Sequence, residues 1–252
     1  MTWLQTATGL VPSAFALTAA LTFGAAAIRG LTGFGMAIIL VPLLGMVMRP
    51  DEAVVLAIFL QLLIGPVGLR ASIAESHKAS ALPIAALAVL ATPLGVWLLA
   101  HTPPDLARVL IAAIAIGAFI AITLTRKQVA IPGRGWAGAV GLMAGVLTGF
   151  AAMPGPPVVP FYLREAFTPA TARASMLVIF FATASAGTLA SVLLGLGSAR
   201  LAWLSVLLFP AVLGGNWLGG QAFGKISPLL WRSGVALLLG VAGLSAVVRL
   251  LP

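Results

Sequence analysis

Apolar residues in this chain run in long blocks and do not alternate with polar ones. Cut at charges and prolines, the blocks lie near 10–48, 52–69, 79–101, 105–125, 135–164, 170–196, 201–224 and 227–250. A run of about 18 or more apolar residues is the signature of a membrane-crossing helix, so the pattern predicts an all-α polytopic membrane protein. The first and fifth blocks are too long for a single crossing. At about 1.5 Å per residue they would reach roughly 55 Å and 45 Å if straight, against a hydrocarbon core of about 30 Å. Each must break or fold back.

Both over-long blocks carry a similar phrase near the middle, "LTGFGMAIILVP" from Leu31 and "LTGFAAMPGPPVVP" from Leu147. Thr32-Gly33-Phe34 matches Thr148-Gly149-Phe150. The matching continues in order: "RPDEAVVLAIF" from Arg49 lines up with "TPATARASMLVIF" from Thr168, Pro50 falling on Pro169. "HTPPDLARVLIAAIAIG" around Pro103 resembles "KISPLLWRSGVALLLG" around Pro228. The chain therefore reads as two homologous halves, 1–128 and 133–252, joined by the polar "TRKQVAIPGRG". Each half holds an interrupted or re-entrant segment followed by three transmembrane helices. Internal repeats with broken helices in corresponding places point to a transporter and to its binding site.

Charge decides between two topologies. If the long blocks cross once, the halves are parallel and Lys and Arg divide almost evenly between the two sides. If they enter and return as hairpins, the halves are inverted. Arg70, Lys78, Arg126, Lys127, Arg134, Arg164, Arg173, Lys225 and Arg232 then share one side, against Arg49, Arg108, Arg200 and Arg249. The positive-inside rule favours the inverted arrangement, with both termini outside the cytoplasm.

Composition supports the membrane reading: 61% of residues are hydrophobic, 8% are charged and the mean hydropathy is +1.15, whereas soluble domains carry about 25% charged residues. The net charge of +9 comes from single basic residues between apolar blocks, with Arg126-Lys127 the only adjacent pair. Nucleic-acid binders cluster their charge, so the basic residues are read as juxtamembrane anchors. The chain has no cysteine and two histidines, and no metal-ligand spacing. No cofactor, no metal and no nucleic acid is expected, nor an intramembrane enzyme. No basic residue precedes Arg29, so the first block lacks the charged start of a cleaved signal and is expected to stay in the mature protein. Trp3, Trp136, Trp203 and Trp231 near block ends suit an interfacial belt.

The repeated phrase has a chemical reading. A glycine-rich break followed by a new helix leaves backbone N–H groups without partners at the new N-terminus. With the positive end of the helix dipole, they form an anion site that needs no basic side chain. The second helices are expected to start near Gly35 and near Pro156-Pro157, and to face one small anion from both sides. Arg29, inside the first block, is a further candidate as a bidentate oxyanion donor. Asn216 in "LGGNWLGGQAFG" is another, while Gln61 is expected to bridge helices. Asp51, Glu52, Glu75, Asp105 and Glu165 all fall near block ends, which leaves no carrier for a buried proton or sodium relay. His77 and His101 read as loop and interfacial residues. Gly141, Gly145 and Gly149 at four-residue spacing also suit close helix packing.

"RGLTGFGMAIILVPLL" followed by "GVLTGFAAMPGPPVVPFYL" resembles the sulfite exporter TauE/SafE family. Ala151-Ala152-Met153 stands where many members have a run of glycines. The resemblance implies a multi-pass permease of the bacterial inner membrane that exports or takes up sulfite, sulfonates or related sulfur anions. The expected substrate site comprises Arg29, Thr32, Gly33, Phe34, Gly35, Thr148, Gly149, Met153, Gly155, Pro156, Pro157 and Asn216. The expected partners are a small anion, the lipid bilayer and a second copy in a homodimer. The competing reading is a membrane scaffold or assembly protein without transport activity, which would gain nothing from opening backbone at depth.

Overall fold

A computed structural model of the chain describes residues 5, 8–124, 134–164 and 167–221, and every element among them is a helix. In chain order these are α1 (Pro12–Thr32), α2 (Met36–Leu44), α3 (Pro50–Ile64), α4 (Leu69–Glu75) and α5 (Lys78–His101). They continue as α6 (Pro104–Leu124), α7 (Arg134–Ala151), α8 (Gly155–Arg164), α9 (Pro169–Leu193) and α10 (Ala199–Gln221). The last block, near 227–250, and its match to the block around Pro103 lie outside the described residues. So do Trp3, Arg126, Lys127, Glu165, Lys225, Trp231, Arg232 and Arg249.

Local sequence explains where the helices start. Pro12, Pro50 and Pro169 each open a helix, where a missing N–H costs nothing and φ is already helical. Asp51 and Glu52 lie in the first turn of α3, complementing the positive end of its dipole. The Thr168 hydroxyl accepts the Thr171 N–H and caps α9. Among the described residues, α1, α5, α6, α9 and α10 are long and apolar enough to cross a membrane. The second block, expected as one span over 52–69, is a shorter object. Its helix α3 stops at Ile64, and α4 leaves it at an angle of 80° after Gly68 turns left-handed at φ 74°.

Cross-links between helix ends give each helix its direction. At one face, Arg200 at the start of α10 pairs with Glu52 at the start of α3 and donates to the Thr8 carbonyl just ahead of α1. At the opposite face, Arg173 near the start of α9 donates to the Gly30 carbonyl near the end of α1. There too, the His77 N–H just ahead of α5 donates to Ser175 in α9. Helices α1, α3 and α10 therefore run from the Arg200 face to the Arg173 face, and α5 and α9 run back.

Helix α7 lies parallel to α5. A Cβ on Gly141, Gly145 or Gly149 would run into the carbonyls of Ile84, Ala88 and Thr92 in turn, so small residues set this close approach. After its break, the chain reverses through α8 until the Tyr162 hydroxyl lies 3.0 Å from that of Ser80, near the start of α5. The fifth block is thus a hairpin based at the Arg173 face. The first block is a hairpin based at the Arg200 face: α2 returns to Gly45, whose carbonyl accepts from Arg108 near the start of α6 at 3.4 Å. Of the basic residues in the described parts, Arg70, Lys78, Arg134, Arg164 and Arg173 belong to one face. Arg49, Arg108 and Arg200 belong to the other, as the inverted arrangement requires. Helix α10 repeats against α1 the packing of α7 against α5: Gly215 sits on the Phe23 carbonyl and Gly219 on that of Ala27.

Candidate anion site at the helix breaks

The first break spans Gly33 to Gly35. Gly33 ends α1 in the left-handed region at φ 84°, its N–H closing on the Arg29 carbonyl at 2.7 Å. Gly35 turns left-handed again at φ 88°. Side chains with a Cβ pay about 1–2 kcal/mol for that conformation, which is why glycine flanks Phe34 on both sides. The Thr32 hydroxyl fastens the corner: it accepts the Phe34 N–H at 3.2 Å and lies 2.8 Å from the carbonyls of Ile28 and Phe34. Helix α2 then starts with no side chain capping it, so its first-turn amides face the space ahead of it.

The second break spans Ala152 to Pro154. The Ala152 N–H closes on the Thr148 carbonyl at 2.7 Å, and the Met153 N–H on that of Leu147 at 3.1 Å, a pattern typical of left-handed helix ends. Ala152 itself takes φ 58° without being glycine. Gln61 of α3 donates to the Ala152 carbonyl at 3.0 Å, tying the break to a helix of the other hairpin's neighbourhood. Helix α8 begins at Gly155, one residue ahead of the expected Pro156-Pro157. Those two prolines carry no N–H, so α8 offers far fewer donors than α2. The two N-termini meet, but they are not chemically equivalent.

They meet at one small chamber of about 20 Å³, lined by Arg29, Phe34, Gly35, Met36, Ala37 and Ile38 on one side, with Gln61 and Phe180. Ala152, Met153, Pro154 and Gly155 line the other. A wider vestibule of about 280 Å³ adjoins it toward the Arg173 face, lined by Val67, Gly68, Ala71, Ser72 and Glu75, by Ala170, Arg173, Ala174 and Leu177, and by Arg29 and Asn216. Arg29 lines both. Its Nη1 donates to the Asn216 Oδ1 at 2.8 Å. A cation at membrane depth costs about 3 kcal/mol on insertion scales, and this bond offsets part of that cost.

Of the residues expected at the site, Arg29, Phe34, Gly35, Met153 and Gly155 line the chamber and Asn216 lines the vestibule. Thr32, Gly33, Thr148, Gly149, Pro156 and Pro157 do not line either. Thr148 is buried and bonds back to the Ala144 carbonyl at 2.7 Å, and Gly149 packs on α5. Gln61 does bridge helices, as expected of it, and also lines the chamber. Arg173 and Glu75 line the vestibule without being among the residues expected there. The sequence held a signal for Arg173: in the expected alignment of Pro50 with Pro169, it falls on Val54, a buried apolar residue.

Residues 18–246 match the family described as Sulfite exporter TauE/SafE. No curated protein and no solved structure matches the chain. The family match covers nearly the whole length, and both broken hairpins and the helices around them fall inside it. The chain belongs to the sulfite exporter TauE/SafE family and is a multi-pass membrane transport protein of that family.

Proposed function

We propose that the protein moves sulfite or an organosulfur anion of the sulfonate type across the membrane by alternating access. One observation carries the reading: two helix breaks, entering from opposite faces, converge on a single chamber that also holds Arg29. The α2 amides, the Arg29 guanidinium and the Gly155 N–H supply donors, while Met153, Phe34 and Phe180 exclude lipid and bulk water. An anion is held there by charge-assisted hydrogen bonds, and releasing it to one face or the other requires the hairpins to move against their neighbours. The left-handed residues Gly33, Gly35 and Ala152 are the hinges such motion would use, since few backbone torsions there separate two rigid helices.

On this reading the two halves, 1–128 and 133–252, are the moving repeats. The Arg173 face is cytoplasmic by its excess of basic residues, which puts the N-terminus outside. In this orientation the vestibule belongs to the cytoplasmic side, while Glu52, Arg200 and the Thr8 carbonyl hold the outer side together. The membrane is the inner membrane of a bacterium, no chemical step is catalysed, and the working unit is a homodimer, which the mass of the purified protein in detergent checks. The main test is sulfite flux in proteoliposomes. Wild-type protein should pass sulfite and Arg29→Ala should not, with equal reconstitution of both. A well-folded wild-type protein that passes none of sulfite, thiosulfate, sulfoacetate or chloride would instead support a scaffold or assembly role.

A further inference from the structure

The chamber between the breaks is smaller than its proposed cargo. It measures about 20 Å³. A sulfur oxyanion with three or more oxygens does not fit there without the hairpins parting. The adjoining vestibule is more than large enough at about 280 Å³. Its charge is unusual for a cavity: two guanidiniums, Arg29 from α1 and Arg173 from α9, face it, and among the described lining residues Glu75 is the one carboxylate. Ser72 and Asn216 add polar groups.

Arg173 is held in place. Its aliphatic stem lies over Gly33, where a Cβ would come 2.6 Å from Arg173 Cγ, and its Nη2 donates to the Gly30 carbonyl at 2.9 Å. Gly33 therefore does two things: it turns the chain and leaves a slot for the arginine. One N–H of the fork is spent on α1, at the end where a cation also complements the helix dipole.

We infer that this vestibule is a second anion station, distinct from the chamber, in which a compact oxyanion waits between Arg173 and Arg29 before the breaks open. The inference deepens the transport reading and rests on it for the order of events. Arg29 is shared: it faces the waiting anion while bonded to Asn216, and faces the chamber once the hairpins separate. Arg173 belongs to the station alone. Glu75, exposed on the short helix α4, tunes the station by opposing the anion's charge, so the site favours entry yet does not trap its ligand.

The test uses the full chain in lipid nanodiscs for equilibrium binding of sulfite, and in proteoliposomes for flux with sulfite presented at the Arg173 face. Glu75→Gln should tighten sulfite binding by about three- to tenfold, as removing one nearby charge in a partly screened site would. Asp105→Asn, an exposed carboxylate at the other face, should change nothing and controls for overall charge. Arg173→Lys should weaken sulfite binding several-fold while preserving the fold, and Arg173→Gln should weaken it further. Unchanged binding in Glu75→Gln overturns the station whatever the arginine variants do. Wild-type flux whose half-saturation ignores Glu75 and Arg173 leaves the transport reading standing and removes the station. Binding that follows both residues without any flux keeps the station and removes transport.

Discussion

Replacing Asn216 by aspartate tests the role of Arg29 with almost no change of shape. Asn216 Oδ1 accepts from Arg29 Nη1 at 2.8 Å, and a carboxylate oxygen can occupy the same point. The bond would then join two ions and not a cation and an amide. The guanidinium already makes this a charge-assisted bond, so what aspartate adds is the attraction of two unit charges. That is about 1 kcal/mol in water, rising toward about 4 at an effective dielectric of about 20, and a polar vestibule lies near the lower end. An anionic substrate would have to displace a tethered competitor stronger by about 1–2 kcal/mol, which is about 5- to 30-fold in apparent affinity. Sulfite uptake into proteoliposomes over a concentration series should show the half-saturation concentration of Asn216→Asp raised by that factor, with protein yield and melting temperature close to wild type. If half-saturation and maximal rate both stay within twofold of wild type, Arg29 does not meet the substrate, and the argument built on it fails.

Arg29→Ala should reduce sulfite flux to the background of empty liposomes while leaving membrane insertion intact, read by fractionation and flux together. Gly149→Leu should prevent folding or lower the melting temperature sharply, because even its Cβ would strike the Thr92 carbonyl and the Val96 amide, and overpacking costs about 1–3 kcal/mol where it is tolerated at all. Ala152→Gly relieves a left-handed alanine at φ 58° and should raise the melting temperature modestly, by a net gain of up to about 1 kcal/mol after the glycine's own entropy cost. Reporter fusions at Arg134 and Arg164 should appear on the same, cytoplasmic side, with fusions at Arg49 and Gly195 on the other. A split of the first two would rule out the second hairpin.

Much of this protein was legible from the order of its residues. Block length and low charge were enough for helices α1, α5, α6, α9 and α10, since only uninterrupted apolar helices satisfy backbone groups in lipid. The excess length of two blocks, with glycine and proline at matching places, located both breaks to within a few residues. The division of Lys and Arg between faces anticipated hairpins based at opposite faces. The end of α3 was missed because Gly65-Pro66-Val67-Gly68 sits inside an apolar run, and hydropathy does not register a backbone that turns.

The site was less legible, because it depends on which side chains meet after helices pack. Sequence could point to Thr32 and Thr148 as a matched pair, but one hydroxyl holds a corner and the other bonds back along its helix. It could not show that Pro156 and Pro157 strip α8 of donors at the point where α2 keeps its own, since that asymmetry matters only once the two termini face each other. Arg29 stood out alone as a charge within an apolar block. Its link to Asn216 and its neighbour Arg173 come from positions far apart in the chain, which only the packing of α1 against α10 and the reach of Arg173 from α9 to the end of α1 bring together. Local pattern determined which segments are helices and where they must break, because those choices are made within a few residues of backbone. Tertiary packing decided which breaks share a chamber and which charges line it, because contacts between distant segments leave no periodic trace along the chain.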